Sequence, residues 1–192
     1  MKPQTKIILG DFQIESGRVI VSDPCYEVDY EINKTIENVK NGTWIAEIET
    51  QRAWGERVSK LICYHELVRT PYKLLFEVVS NDIGVDSGQA GIFDLDHFKR
   101  DSDAVGLVRE SKDIICENEP WYSMCCDKTL GKNMAGTIPF GVVSSSGLGD
   151  GSYVCEVSKR DGEVVAIQVT FLEDEEDELD NEDDLEDEED ED

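Results

Sequence analysis

Apolar and polar residues alternate over several segments of this chain, and a period of two is typical of half-buried β-strands. In the segment Thr43–Thr50, the side chains of Trp44, Ala46 and Ile48 share one face, whereas the other face carries Ile45, Glu47 and Glu49. Branched and aromatic residues also fit the pleated surface of a sheet. The pattern therefore predicts a strand here, with the face that carries Trp44 turned toward the core.

The segment before the acidic C-terminus predicts a hairpin in the same way. Residues 153–157 and 164–172 both alternate, and they flank Asp161 and Gly162, a pair that favours two-residue hairpin turns. Residues 73–80 differ, because their apolar side chains are nearly continuous. Such a run is typical of a strand buried on both faces, so we predict an interior strand there.

Spacing predicts three further elements. Residues 12–14 and 18–21 are apolar runs on either side of a Ser-Gly turn, which indicates an N-terminal hairpin. Within residues 30–41, apolar side chains recur at positions i, i+4 and i+7, which favours a helix. Residues 121–127 carry a bulky face at helical spacing and predict a second, short helix.

Together, these elements predict a single α+β domain, made mainly of antiparallel β-strands and spanning residues 1–172. A chain of this length can bury a sizeable core. In the remaining residues, 173–192, all but Leu179, Asn181 and Leu185 are Asp or Glu. Because such a segment repels itself and has little apolar surface to bury, we predict a disordered acidic C-terminal tail.

The charge of the chain argues against one class of partner. The chain has 44 acidic and 18 basic residues, a formal net charge of −26, and 17 of the acidic residues lie in the tail. Direct nucleic-acid binding needs clustered lysine and arginine to displace counterions, and the sequence contains no basic stripe, so we expect no such binding. The tail, residues 173–192, instead suggests a basic protein partner.

The sequence shows no recognisable targeting feature, and this predicts a cytoplasmic protein. The first residues lead into only a short apolar run, which does not resemble a signal peptide. No segment approaches the roughly 18 consecutive apolar residues of a membrane span, so we expect no membrane association. In a reducing compartment, the six cysteines are expected to be thiols rather than disulfides.

Three short segments rich in Gly, Ser and Asp each follow an apolar run: residues 22–26, 82–94 and 144–153. Glycine permits backbone conformations and close approaches that other residues resist, and aspartate accepts hydrogen bonds from backbone N–H groups in turns. Functional residues tend to lie in loops of this kind. We therefore expect the three segments to meet at one end of the domain and to form a site there.

The same three segments resemble the domain-of-unknown-function 4241 family. The resemblance rests on Ser-Asp-Pro-Cys-Tyr at 22–26, Val-Asp-Ser-Gly-Gln-Ala-Gly-Ile-Phe-Asp at 85–94 and Ser-Ser-Ser-Gly-Leu-Gly-Asp-Gly-Ser-Tyr at 144–153. It extends from about residue 20 to residue 171. The resemblance implies one domain with a shared loop-rich site, and it carries over no catalytic residue.

Polar residues of these loops are the candidate site. Asp86 and Asp150 supply the oxygen ligands that hard cations such as Ca²⁺ or Mg²⁺ prefer, which makes them candidate metal ligands. The simpler interpretation is that the loop aspartates hold turns by accepting hydrogen bonds from nearby backbone N–H groups. The candidate ligand-binding residues are Asp23, Tyr26, Asp86, Ser87, Gln89, Ser146 and Asp150.

Three functions are compatible with the sequence. The first is a non-enzymatic intracellular binding or interaction protein that uses the loop site. The second is a metal-assisted hydrolase in which Asp86 and Asp150 hold the ion. The third is an acidic decoy that captures basic or nucleic-acid-binding partners through residues 173–192. The sequence identifies no substrate, and it leaves enzymatic activity open.

Overall fold

Two antiparallel sheets pack face to face in the computed structural model, which describes residues 5–52, 55–104 and 119–173. The predicted mainly antiparallel β fold is confirmed. The strands in chain order are β1 (Thr5–Ile14), β2 (Val19–Ser22), β3 (Lys34–Ile36), β4 (Gly42–Arg52), β5 (Glu56–His65), β6 (Glu77–Val85), β7 (Gln89–Asp94), β8 (Ala135–Ile138), β9 (Gly141–Ser145), β10 (Gly151–Arg160) and β11 (Glu163–Thr170). In the described part of the chain, one α-helix, α1 (Pro120–Thr129), lies between β7 and β8.

The larger sheet has the strand order β1-β4-β5-β11-β10-β6. The strand predicted at Thr43–Thr50 belongs to β4, and Trp44, Ala46 and Ile48 are all fully buried. The predicted C-terminal hairpin is formed by β10 and β11, whose Asp-Gly turn has positive φ at both residues. This hairpin occupies the middle of the sheet, between β5 and β6.

The smaller sheet has the order β3-β2-β7-β9-β8, and a shared apolar core lies between the two sheets. Trp44 is among the largest fully buried side chains, and its indole N–H donates to the carbonyl oxygen of Lys40 at 2.8 Å. Burying each large apolar side chain contributes about 1.5–3 kcal/mol. Core side chains from the two sheets include Phe12, Ile14, Val21, Trp44, Ile48, Leu61, Ile83, Ile92, Val142, Ile167 and Val169.

Two smaller apolar clusters cover the outer faces of the sheets. On the smaller sheet, α1 packs Trp121 against Phe93, with ring centroids 5.0 Å apart, so the second predicted helix is confirmed. On the larger sheet, the segment 66–76 packs Val68 and Leu74 against β5 and β11. Each sheet is therefore covered on both sides over part of its area.

The predicted N-terminal hairpin is wrong, because its two arms belong to different sheets. Residues 12–14 end β1 in the larger sheet, whereas residues 18–21 lead into and form most of β2 in the smaller sheet. The turn between them is held by Asp94, whose buried carboxylate accepts from the N–H groups of Glu15 and Ser16 at 2.6 and 2.8 Å. The Ser-Gly turn thus carries the chain from one layer to the other.

The helix predicted within residues 30–41 is also wrong. β3 lies there instead, and its residue Ile36 reaches the core between the sheets. Ile32 packs over Gly84 of β6, where an added Cβ would lie 2.2 Å from the isoleucine side chain. The apolar side chains in this segment contact different parts of the molecule, so their helical spacing does not reflect a single buried face.

The strand predicted at residues 73–80 begins later and lies at an edge of the larger sheet. Within the described part of the chain, β6 pairs with β10 alone. Leu75 and Val78 are exposed, so the apolar run is not buried on both faces. Leu74 packs on the outer cluster and Val79 on the central core. The apolar run is continuous because some of its side chains pack on the outer cluster, others pack on the central core, and the rest are exposed.

Two glycines of the second loop have the two roles predicted from the sequence, which are a positive φ and a close approach of neighbouring backbone. Gly88 adopts a φ of 68°, the left-handed region that favours glycine. Gly91 lies inside β7, where an added Cβ would lie 2.6 Å from the carbonyl oxygen of Val142 and 2.2 Å from the ring of Phe93. Close packing of β7 on β9 therefore requires glycine at this position.

No helix of the described residues is long and apolar enough to cross a membrane. None of the described cysteines takes part in a disulfide. Apart from Glu173, the predicted acidic tail lies outside the described residues, as does Cys116. The predictions made for the tail therefore stay predictions.

Candidate functional site

The three Gly/Ser/Asp-rich loops meet at one end of the two sheets, because the strands that carry them are neighbours. In the smaller sheet, β2 pairs with β7, which places Ser22 opposite Gly91, and β7 pairs with β9. In the larger sheet, β6 pairs with β10, which places Val85 opposite Gly151. Strand pairing therefore brings together loops that are far apart in sequence.

Asp23 holds the first two loops together. Its side chain is fully buried, and Oδ2 accepts hydrogen bonds from the backbone N–H groups of Asp86 and Ser87 at 2.9 and 2.7 Å. Oδ1 accepts from the Cys25 N–H at 2.8 Å and from the Ser87 hydroxyl at 2.6 Å. These four donors occupy the carboxylate and leave no exposed surface for a ligand. The interpretation that loop aspartates hold turns is confirmed for Asp23.

The third loop is attached to the second by a backbone hydrogen bond and closed by a tyrosine. The N–H of Ser146 donates to the carbonyl oxygen of Gly88 at 3.1 Å. The Tyr153 hydroxyl lies 2.8 Å from the carbonyl oxygen of Ser146 and 2.5 Å from that of Gly149. Ser146 is buried, and its own hydroxyl donates to the Gly149 carbonyl at 2.7 Å. Ser146 therefore stabilises the loop from within.

Tyr26 lies beneath the loop surface. Its side chain is only 8% exposed, and its ring stacks on Tyr30 with centroids 4.6 Å apart and 12° between the ring planes. Burial, followed by a hydrogen bond to the Asp86 carboxylate, raises the pKa of Tyr26 well above its usual value. The phenol therefore stays protonated and donates to Asp86, while the exposed Tyr30 extends the stack to the surface.

Helix α1 contributes side chains to the loop end that the sequence did not indicate. The Gln89 side-chain oxygen accepts from the Thr129 hydroxyl at 2.9 Å, and its amide nitrogen lies 3.4 Å from the Tyr122 hydroxyl and 3.6 Å from Cys126 Sγ. Burial, with the neighbouring Cys126 thiol, raises the pKa of Tyr122 to about 12. Gln89 is thus fixed between the second loop and α1. No local sequence pattern predicts these contacts, because they join residues distant in the chain.

Cys25 is exposed at the loop end, yet its surroundings disfavour the thiolate. Desolvation, a hydrogen bond with Asp23 and the negative charges of Asp23 and Asp86 raise the pKa of Cys25 to about 12. Because the thiolate rather than the thiol is the nucleophile, desolvation together with these carboxylates keeps Cys25 unreactive at neutral pH.

We expect Cys25 to be alkylated about 50-fold more slowly in the folded chain than in urea at pH 8. Raising the thiol pKa from 9.0 to about 12 lowers the thiolate fraction about a thousandfold, and the greater nucleophilicity of a more basic thiolate offsets about 20-fold of this. Iodoacetamide labelling, followed by mass spectrometry of the peptide that contains Cys25, measures both rates. Asp86→Asn removes one of the charges and should speed the folded-state reaction. Equal rates in the two states would show that neither desolvation nor the carboxylates raise the pKa of this thiol in the folded chain.

The candidate site residues divide by exposure. Asp86 and Asp150 face solvent, and Ser87 is half-buried. Asp86 directly follows Val85 and Asp150 directly precedes Gly151, and these two neighbours are paired at the adjoining ends of β6 and β10. Among the described residues, no group of three or more His, Cys, Asp or Glu side chains is placed to hold a metal ion. The role of Asp86 and Asp150 as metal ligands therefore stays a prediction. The buried candidates, which hold the loops in place, are Asp23, Tyr26, Gln89 and Ser146.

The solvent-facing surface of the loop end combines acidic and apolar side chains from residues 27–31, which directly follow the first loop, from the second loop and from the tip of the third. Its apolar members are Val28, Tyr30 and Leu148, which are all exposed although large. One of its acids, Glu27, pairs with Lys99 at 2.7 Å. We call this surface the loop face; it consists of Glu27, Val28, Asp29, Tyr30, Glu31, Asp86, Leu148 and Asp150.

Comparisons with protein-family models, with curated proteins and with solved structures found no match to this chain. The resemblance to the domain-of-unknown-function 4241 family therefore rests on its three motifs, and what it implies stays an expectation. The chemistry of the loop end is the remaining guide to function.

Proposed function

We propose that this protein is a non-enzymatic binding protein whose loop face recognises a positively charged segment of a partner protein. The composition of the loop face carries the proposal: it combines exposed carboxylates, among them Asp29, Asp86 and Asp150, with exposed apolar side chains. Carboxylates steer a cationic partner toward the surface, and desolvated apolar and aromatic contacts supply affinity. The exposed ring of Tyr30 adds a surface on which an arginine guanidinium can stack.

The rigidity of the loops supports binding. Asp23 ties the first loop to the second through three hydrogen bonds and accepts a fourth from Cys25 within its own loop, and Tyr153 closes the third loop from within. A surface that is already ordered loses less conformational freedom when a partner binds. The hydrogen bonds of the buried residues therefore prepare the exposed residues for recognition.

The ionisation of the loop end favours binding over catalysis. General acids and bases work best with pKa values near the operating pH, and nucleophiles need an accessible anion. Here, the pKa values of Cys25 and Tyr122 are raised to about 12, and that of Tyr26 is raised as well. These side chains stay neutral at physiological pH, where they donate hydrogen bonds rather than react.

The exposure of the loop-face side chains favours a macromolecular partner. Small-molecule sites are typically concave and enclose most of the ligand. A cleft of about 370 Å³ does occur in the molecule, but it is lined by residues of α1, β8 and their connection, such as Lys128, Lys132 and Asn133. None of the loop-face residues lines it. The exposed apolar and acidic side chains of the loop face are better matched to another protein surface.

The test is an NMR titration of the full-length ¹⁵N-labelled chain with a peptide of alternating arginine and glycine, at physiological salt. We expect the amides of residues 26–31, 86–88 and 148–150 to shift. Removing two carboxylates with Asp86→Asn and Asp150→Asn should weaken binding about tenfold, since each exposed ion pair contributes up to about 1 kcal/mol.

The matched control for this titration is the pair Glu37→Gln and Asp161→Asn. It removes the same charge at the far end of the sheets, where residue 38 bonds to residue 164 and the β10–β11 turn lies. It should leave the affinity unchanged. Equal weakening by both variant pairs would mean that net charge, not the loop face, attracts the peptide. Shifts confined to residues 173–192 would support the acidic decoy function instead.

A further inference from the structure

A cleft of about 370 Å³ lies where the C-terminal end of α1 meets β8 and the turn between them. Small-molecule sites have volumes of about 300–1,000 Å³ and combine apolar surface with a few polar groups. The lining of this cleft includes the buried side chains of Met124 and Ala135 and the polar side chains of Lys128, Lys132 and Asn133. We call it the α1–β8 cleft, and its volume and composition suit a small molecule that is partly polar.

The two lysines of the α1–β8 cleft differ from most lysines of this chain. Lys6, Lys40 and Lys99, for example, each pair with a glutamate at 2.5–2.7 Å. Within the described ranges 5–52, 55–104 and 119–173, neither Lys128 nor Lys132 takes part in an ion pair. Because the chain has 44 acidic residues and only 18 basic ones, two neighbouring lysines without an acidic partner leave positive charge open to a ligand.

The aliphatic part of Lys128 is held against β8. An added Cβ at Gly136 would lie 2.8 Å from Lys128 Cδ and 3.2 Å from its Cβ, so the glycine makes room for this side chain. Lys128 is accordingly half-buried, whereas Lys132 is exposed. A side chain that is already packed loses less conformational freedom when a ligand binds. Lys128 is therefore prepared for binding, and Lys132 can adjust to the ligand.

The turn between α1 and β8 adds backbone donors. The N–H of Met134 donates to the carbonyl oxygen of Gly131 at 3.0 Å, which closes the turn around Lys132 and Asn133. In the part of the chain that the structure describes, the N–H groups of Lys132 and Asn133 have no protein acceptor. Two N–H groups and two ammonium groups along one cleft favour a ligand with several acceptor oxygens and negative charge.

Negative charge near the α1–β8 cleft is limited. Asp127 lines it as well, but this residue has an interaction of its own, and the two lysines outnumber it. A helix C-terminus disfavours anions through its unsatisfied carbonyl groups. Here, the carbonyl oxygens of Cys126 and Lys128 already accept from N–H groups of the following turn at 2.9 and 3.2 Å. Charges elsewhere on the acidic chain are screened beyond about 8 Å at physiological salt.

We propose that the α1–β8 cleft binds a small phosphate monoester. At neutral pH, such a group carries nearly two negative charges and three acceptor oxygens, which match the two unpaired lysines and the open N–H groups of the turn. Lysine binds phosphate as a point charge, without the paired geometry that arginine needs. The organic part of the ester would cover Met124 and Ala135. This cleft is distinct from the loop face, and the inference does not depend on the proposed function.

The experiment is an NMR titration of the full-length ¹⁵N-labelled chain with phenyl phosphate at pH 7.5 and physiological salt. We expect the amides of residues 128 and 131–136 to shift and to saturate with a Kd of about 1 mM or less. The amides of residues 26–31, in the loop face, should not move. Benzoate, which has the same ring but one charge, and inorganic phosphate, which has no ring, should each bind at least about fivefold more weakly.

Matched variants locate the binding. Lys128→Gln and Lys132→Gln should each weaken it about fivefold, the effect of losing one exposed ion pair. Gly136→Ala changes no charge but displaces the side chain of Lys128, so it should weaken binding similarly while the urea midpoint stays near that of the wild type. Lys73→Gln removes the same charge from the segment that covers the outer face of the larger sheet, and it should leave the affinity unchanged.

Three results would overturn the proposal. The first is the absence of saturable shifts at residues 128 and 131–136 with phenyl phosphate. The second is equal affinity for benzoate or for inorganic phosphate, since the cleft would then not select a dianionic ester. The third is equal weakening by Lys73→Gln and by the two cleft variants, Lys128→Gln and Lys132→Gln, because net charge rather than the cleft would then attract the anion.

Discussion

Replacing Asp23 with alanine should lower the free energy of unfolding by about 3–5 kcal/mol. The substitution leaves four part-buried donors without their acceptor: the N–H groups of Cys25, Asp86 and Ser87, and the Ser87 hydroxyl. Hydrogen bonds to a charged acceptor are stronger than neutral ones, and unsatisfied buried donors each cost about 1–3 kcal/mol. Loop movement and entering water offset part of the summed cost of the four donors, so the expected loss of free energy is smaller than that sum.

Urea unfolding monitored by circular dichroism measures the effect, with the slope against urea checked for constancy. The matched control is Asp150→Ala, because Asp150 is an exposed aspartate at the same end of the molecule, and it should change the free energy by less than about 0.5 kcal/mol. Asp23→Asn should fall between the two, since an amide offers only one acceptor oxygen. A loss below about 1 kcal/mol for Asp23→Ala would mean that the loops are not held by this carboxylate.

Replacing Trp44 with alanine should cost about 4–5 kcal/mol. Trp44 is fully buried between the sheets, and its removal leaves a large cavity that a close-packed core fills only in part. The substitution also removes the indole donor to the Lys40 carbonyl and the edge contact with the His65 ring, whose centroid lies 6.2 Å away. Like the cavity, both losses lower the free energy of unfolding.

Two variants separate the parts of this effect. Trp44→Phe keeps most of the volume but loses the donor, so about 2 kcal/mol is expected. Tyr72→Ala truncates an aromatic side chain that is exposed, and it should leave the urea midpoint nearly unchanged. If Trp44→Ala and Tyr72→Ala shifted the midpoint equally, the assignment of Trp44 to the central core would be wrong.

The parts of the fold that the sequence predicted are those decided by neighbouring residues. The face of β4 that carries Trp44 and the hairpin of β10 and β11 follow from period-two alternation and from an Asp-Gly turn. The N-terminal hairpin prediction failed because the turn there is held by Asp94, whose carboxylate accepts from the Glu15 N–H across 79 positions of the chain. An apolar run such as residues 73–80 is equally compatible with an interior strand and with an edge strand whose side chains pack into several apolar clusters.

The candidate site shows the same limit. Local sequence picked out Asp23 and Asp86 as loop residues, but exposure decides their roles, and exposure depends on pairing across 63 positions. Asp23 is buried and structural, while Asp86 faces solvent. Tyr122 was outside the prediction because only tertiary packing brings α1 beside the second loop. A sequence pattern can therefore locate a loop cluster before it can say which side chains a ligand meets.

The position of the C-terminal hairpin affects how the chain is made. β10 and β11 separate β5 from β6, so neither of those strands has its inner neighbour until residues 151–170 have been synthesised. During translation, the nascent chain therefore carries two bare strand edges while synthesis proceeds at about 5–20 residues per second. Such intermediates aggregate readily, and long-range strand pairing closes slowly. Residues 1–172 already hold 27 acidic against 18 basic residues, so the growing chain is negatively charged before the tail is made, and this charge keeps growing chains on neighbouring ribosomes apart.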